Sequence, residues 1–315
     1  MLPAMARKTE AVAFTQLPVR RETLPAAPFS LDGVVTDSGP EDEAVPGGVY
    51  LCQVNEYVSC GACCGLYNIR HLSRDRLFAM LLHRTERFAG LPREMDPILH
   101  FKRRIEALEG NGNRPFDRFH SCPFVGFIGR TGFKVGCLLH PLADGNEGVD
   151  YRGLSFYGGY ACGTYFCPTY REMPAGIKRL LMACVDDGYL YGLLITEWKL
   201  IRAIFSELAG RLERSVSVES VTGNSNAMTA LRRLLSVKID WAYRCPDARS
   251  PVHYFFKEKA FQRPPVDYQR TGRRGSRYDP IFRELESVFD SPGRLRSAES
   301  RLELLFDAVI DAWDN

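Results

Sequence analysis

Residues 57–67 read YVSCGACCGLY and crowd Cys60, Cys63 and Cys64 into one short turn. Cys122 and Cys137 stand on either side of two apolar runs, and Cys162 and Cys167 share the segment YACGTYFCP. Thiols gathered in this way can be crosslinked, can act as nucleophiles or can ligate metal. A C-x-x-C pair in a turn points both sulfurs to one side, and Gly61 lets the backbone curl around an ion. Structural zinc takes four thiolate or imidazole ligands, and a cubane iron–sulfur cluster usually takes four thiolates. Seven clustered thiols exceed one tetrahedral zinc site. They suit two zinc ions, a cluster with spare thiols, or one metal centre beside a reactive pair. Adjacent side chains splay apart, so Cys63 and Cys64 are expected to serve different metals or different sides of one cluster.

The other chemistries fit less well. A redox dithiol of thioredoxin type follows a strand and opens a helix in a βαβ context, which is not seen here. A cysteine hydrolase using Cys64 with His71 or His140 needs one poised thiolate and an oriented base, not seven thiols. His140, three residues after Cys137, and His120, two before Cys122, are weaker ligand candidates; a lone histidine is more often a hydrogen-bonded residue. Cys184 and Cys245, isolated in helical surroundings, read as small packing residues. Packing gives no reason for three groups that each abut Gly or Pro.

The order CGACC, then CPF, GCLLHP and ACGTYFCP, resembles the zinc- or iron-chelating cysteine-cluster proteins of the CxxCxxCC type. The resemblance covers about residues 52–170 and implies that Cys60, Cys63, Cys64, Cys122, Cys137, Cys162 and Cys167 ligate an iron–sulfur cluster or zinc. The family's first cysteine falls at Tyr57, and Cys52 is the nearest substitute. DYRG keeps Arg152 where the family shows an Arg-Pro turn, without the proline. Some relatives with a similar cysteine arrangement look like flagellin lysine methylases; no G-x-G-x-x-G cofactor loop accompanies that likeness here.

The elements that must position these cysteines are predicted as an α+β arrangement. Residues 1–46, rich in Pro, Ala, Gly and acidic residues, read as a disordered tail. Residues 47–174 form the expected metal-binding module. It opens with a strand in GVYLCQVNEYV and continues through a helix capped by Ser73 and ended by Gly90, with Leu77, Met80, Leu81 and Phe88 on one face. A second helix stops at Gly110, a hairpin turns at GRTG, and an irregular Gly- and Tyr-rich stretch follows. Residues 175–315 read as a helical region packing on the module. Its long apolar stretch breaks near Gly188, VESVTGNSN is a linker, and Leu302, Leu305, Phe306, Val309, Ile310 and Trp313 recur at helix spacing.

At 315 residues, 45% hydrophobic and 25% charged, with mean hydropathy −0.20, the chain has the composition of a globular protein with a substantial core. No apolar run reaches the roughly 20 residues of a spanning helix. The start lacks the pattern of a secretory signal, so the expected compartment is the reducing cytoplasm, where clustered cysteines favour metal over disulfides. A net charge of +3 names no partner. The basic stretch QRTGRRGSRYDP at 269–280 reads as a solvated loop rather than a nucleic-acid interface. Asp186 and Asp187 read as a solvated turn. The C-terminal helices are the expected surface for a protein partner.

Overall fold

The computed structural model describes residues 31–110, 114–116, 119–129, 131–212, 214–248 and 263–314. It is a mixed α and β chain, about 51% helical with few strands. Residues 1–30 of the expected tail lie outside the described residues. The rest of that stretch is ordered. Strand β1 (Val35–Thr36) pairs in parallel with β4 (Val216–Ser217), and Val34, Val35 and Val45 are buried. The composition of 31–46 conceals three valines that a distant strand and helix can cover.

The two early helices follow their sequence signals. Helix α1 (Arg74–Ala89) starts where the Ser73 hydroxyl accepts the Arg76 N–H at 3.2 Å, and it buries Leu77, Leu81 and Phe88. Helix α2 (Met95–Glu109) buries Ile98, Phe101 and Ile105 and ends at Gly110, whose φ of 69° suits glycine. Strands β2 (Val125–Ile128) and β3 (Lys134–Cys137) form the expected antiparallel hairpin, with Val125 opposite Cys137. The expected strand at 48–58 is only a bridge between Gln53 and Ser59, which closes a short loop and brings Cys52 beside Cys60 through a 2.9 Å backbone bond. Within the irregular stretch, α3 (Gly158–Thr164) carries Cys162, and α4 (Thr169–Glu172) begins just after Cys167.

The C-terminal part is more broken than its periodicity suggests. Helices α5 (Ala175–Cys184), α6 (Gly188–Ile195) and α7 (Trp198–Arg211) replace one or two longer ones. Asp187 caps α6 through the Tyr189 N–H at 3.0 Å and pairs with Arg74, so VDDG is a structured joint. The expected linker holds α8 (Val218–Thr222) and the Asn224 cap of α9 (Ser225–Leu235). Helices α10 (Val237–Asp240), α11 (Asp279–Glu284) and α12 (Pro292–Asp314) complete the order. Part of the basic loop is paired within the chain: Arg273 pairs with Glu299 at 3.0 Å and Arg277 with Glu207.

Two apolar clusters hold the fold. The larger joins the C-terminal helices to Val34–Val58 and Tyr170–Met173; the smaller joins α1, α2 and the hairpin to residues 62–72. The boundary expected at residue 174 therefore does not separate the cores, because the segments on both flanks of the cysteine module belong to the helical one. Tyr67 links the smaller cluster to α6, where its ring lies against Gly192.

A Cβ on Gly192 would stand 1.6 Å from the Tyr67 hydroxyl oxygen, and Tyr67 is fully buried. Gly192→Ala is expected to cost about 2 kcal/mol or more through overpacking, read as a lower denaturant midpoint. Gly210→Ala, in α7 with no atom within 4 Å of the added Cβ, is the contrast and should stabilise by about 0.5–1 kcal/mol.

Candidate metal centre

The site is built from three stretches of chain that meet between the two apolar clusters. The first is the turn Gly61–Leu66. A single 3-10 turn over Ala62–Cys64 ends at Gly65 with φ 75°, and a Cβ there would stand 2.0 Å from the His120 carbonyl oxygen. Gly65 thus lets the cysteine turn lie directly on the second stretch, and the Cys122 N–H donates to the Cys64 carbonyl at 2.8 Å. Within that stretch β2 and β3 hold Cys122 and Cys137 near one another. The third stretch brings Cys162 on α3 and Cys167 ahead of α4. Cys60 packs against both apolar clusters, Cys167 against the larger, and Cys64, Cys122 and Cys137 belong to or line the smaller.

The mutual electrostatic influence of the sulfurs divides them into two neighbourhoods. Cys63 and Cys167 act on Cys52 and Cys60, and Cys63 on Cys167; Cys122 and Cys137 act on Cys64, and Cys162 on Cys122 and Cys137. The two meet at the adjacent pair, Cys63 and Cys64, whose side chains act on each other most strongly. That interaction, ahead of opposing burial, lowers the Cys63 pKa, and the same interaction together with burial pushes Cys64 well up. Burial first, then the nearby sulfurs, raises Cys52 and Cys122 to about 12, and burial raises Cys137 to about 11.

Donors are aimed at the sulfurs. The backbone N–H groups of Ala62, Phe124, Leu139 and Thr169 lower the pKa values of Cys60, Cys122, Cys137 and Cys167 against the larger upward push of burial. The His140 and Tyr170 N–H groups donate to the carbonyls of Cys137 and Cys167, each at 3.1 Å. The Ser155 hydroxyl lies 3.2 Å from the Cys162 sulfur, and the Tyr170 hydroxyl 3.1 Å from that of Cys52. Positive charge is at hand as well. Arg84, fully buried, and Arg152 act on the second neighbourhood, and the buried Lys178 is within reach of Cys167. Hydrogen bonds and cations of this kind favour anionic sulfur. Among the described residues, no three His, Cys, Asp or Glu side chains stand as a ready-made cage for an ion.

The histidines stand apart from this set. His140 accepts the Leu142 N–H on Nδ1 at 3.1 Å, and Arg152 and Asp150 are the charges acting on it. His120 stacks on Phe156 with ring centroids 4.2 Å apart, and burial lowers its pKa to about 4. Cys63, Cys122 and Cys137 are the thiols acting on Cys64. Cys184 is fully buried in the helical core, and the Cys245 N–H bonds to the Glu286 carbonyl at 2.8 Å. Cys52 is the thiol whose role spacing left open; the signal that places it is the pairing of Gln53 with Ser59. No family model, no curated protein and no solved structure matches this chain.

The raised thiols fix a pH dependence for the metal-free chain. With pKa values of about 12 and about 11 against the ordinary 9.0, folded Cys122 and Cys137 hold protons that the unfolded chain releases. Their contribution is fully present below the ordinary thiol value and is lost as pH rises towards the folded values. The chemical-denaturation midpoint of metal-free, reduced protein is therefore expected to fall between about pH 8.5 and 10.5. A Cys122→Ala, Cys137→Ala double variant should show a shallower decline.

Proposed function

We propose that this chain is a metal-binding protein whose clustered cysteines hold an iron–sulfur cluster or zinc. Cys60, Cys63, Cys64, Cys122, Cys137, Cys162 and Cys167 are the ligands. The observation that supports the reading is that cysteines from three separated stretches, Cys60 and Cys64, Cys122 and Cys137, and Cys167, pack at the two apolar clusters, with Cys60 against both. A reduced protein with no use for anionic sulfur has no reason to surround buried thiols with donors. Deep burial of unligated thiolates is costly, and a bound cation offsets that cost while displacing the thiol protons.

The residues present fit such a group in donor type and in number. Zinc would supply folding free energy, and an iron–sulfur cluster would supply one-electron transfer. The chain's own contribution is to exclude water and stabilise sulfur charge. Phe124 and Tyr170 are buried beside the thiols, and Tyr157, whose hydroxyl donates to the His120 carbonyl at 3.2 Å, walls the second neighbourhood. The redox and protein-modification readings both use this shell. A second reading has its own support in the position of the sulfurs between two apolar cores. In it, zinc fastens the cysteine module to the helical body, and the helices bind another protein.

Protein purified without oxygen should carry stoichiometric metal, read by elemental analysis and a visible spectrum. Brown protein with iron and acid-labile sulfide selects the cluster; colourless protein with zinc selects the ion. Metal-free protein after both anaerobic purification and reconstitution overturns the reading. Cys137→Ser should bind metal at least about tenfold more weakly, whereas His140→Ala should keep wild-type metal content. Under the structural reading, chelation opens residues 62–139 to proteolysis while the C-terminal helices stay folded.

A further inference from the structure

Helix α12 runs for 23 residues, a length of about 35 Å. Leu295, Ala298, Leu302, Phe306, Val309 and Trp313 form its buried face, packed on α7 and α9. The opposite face is exposed at Ser297, Ser300, Leu304, Asp307, Ala308 and Asp311, a spacing of threes and fours that keeps these positions on one side of a helix. Leu304, at the centre, is 72% exposed. A groove of about 840 Å³ follows the first half of this face from Gly293 to Leu305, and among the described residues its lining comes from α12 alone. A groove with one wall is completed by whatever supplies the other.

Charge on this face is divided at Leu304. Arg296 and Arg301 precede it, and Asp307 and Asp311 follow it. The carboxylates of the first half, Glu299 and Glu303, are turned aside to Arg273 and Arg211 on the flank. Arg301 is held in direction by Asp240, through Oδ1 at 3.0 Å and the carbonyl at 3.2 Å, and lies over the Trp241 ring. Asp307 is held in the same way by Arg211 at 2.8 Å. Arg296 is exposed and makes no ion pair among the described residues.

We infer that α12 pairs antiparallel with α12 of a second copy of this chain, across a two-fold axis at Leu304. Positions equally far from Leu304 then meet. Arg301 of one copy stands opposite Asp307 of the other, and Ser297, with Arg296 beside it, stands opposite Asp311. Ser300 meets Ala308, where two small side chains let the helices approach. Every contact occurs twice, as a two-fold interface requires. Parallel pairing would instead set Arg301 on Arg301 and Asp307 on Asp307, so charge selects the antiparallel arrangement. One helix crossing offers a contact below the roughly 1,200 Å² of a standard interface, which makes the dimer weak and reversible. The inference is independent of the metal reading.

The test is analytical ultracentrifugation of the full chain in reducing buffer, where thiol crosslinks cannot pass for dimers. Over about a hundredfold range of concentration the wild type should move from monomer to dimer by mass action, and added salt should push it back. Leu304→Glu sets two like charges on the axis and should stay monomeric throughout, with an unchanged circular dichroism spectrum because position 304 is exposed. Arg296→Glu and Asp311→Arg should each weaken association about three- to tenfold. An equimolar mixture of those two variants should regain wild-type association, because the two copies then meet opposite charges at both contacts. A merely structural effect of either substitution would not be repaired by mixing. A wild type that stays monomeric over the whole range, a dimer indifferent to Leu304→Glu, or a mixture no tighter than its components overturns the inference, and each leaves the metal reading untouched.

Discussion

Burial of sulfur between two apolar cores is the constraint on which this molecule turns. A domain normally seals the junction of two hydrophobic clusters with more hydrophobic surface. Here the junction is occupied by cysteines, with Cys60 touching both clusters and its thiol driven well above the ordinary value by burial. Neutral thiols tolerate such a place as small hydrophobes. Burial helps to push Cys52, Cys60, Cys64, Cys122, Cys137 and Cys167 above the ordinary thiol value, while Cys63 is lowered. Under the proposed function a bound cation would change that balance by displacing thiol protons.

The surroundings are consistent with that balance. The buried cations near the sulfurs are differently employed. Arg84 spans Glu109, through Nε at 2.8 Å, and the carbonyls of Cys122 and Val125, so it ties the hairpin to α2 while leaning on Cys122. Lys178 has only carbonyl oxygens within hydrogen-bond distance and Cys167 among its charge partners. A buried ammonium with no carboxylate bonded to it is costly unless anionic charge lies close. The helical body solves the same problem conventionally, where Glu197 receives both Lys238 at 2.7 Å and Arg263 at 2.9 Å. Lys178, lowered by burial, has Cys167 and the carboxylate of Glu41 as the groups acting to hold its charge.

Local chemistry was legible in the sequence where one residue decides an element. Ser73 starts α1, Gly110 ends α2, and the glycines around 129–132 turn the hairpin, each by a short-range steric or hydrogen-bonding rule. The segments that misled are those whose structure is imposed from afar. Val34 and Val35 are ordered by a strand 181 residues away, Val35 to Val216, which no window over the tail can contain. Residues 48–58 alternate like a strand, yet they find one bridge because Tyr170 and Tyr191 take Leu51 and Cys52 into a corner instead. For the sulfurs, the crowding of Cys60, Cys63 and Cys64 was plain. The grouping was not, since pairing in space depends on which side of the adjacent pair each later cysteine approaches.

That adjacent pair explains why the chain spends two neighbouring cysteines where one turn offers room for a single inward-facing side chain. Cys63 and Cys64 diverge from a 3-10 turn, and the carbonyl of Cys64 is claimed by the Cys122 amide. The Cys122 amide and the close approach of Gly65 to the His120 carbonyl together hold the turn against the stretch that carries Cys122. Cys63 is left facing Cys52 and Cys167, and Cys64 facing Cys122 and Cys137. The glycines at 61 and 65 are what allow the turn to pack this closely: a Cβ on Gly61 would stand 2.8 Å from the Leu66 side chain, and one on Gly65 2.0 Å from the His120 carbonyl oxygen.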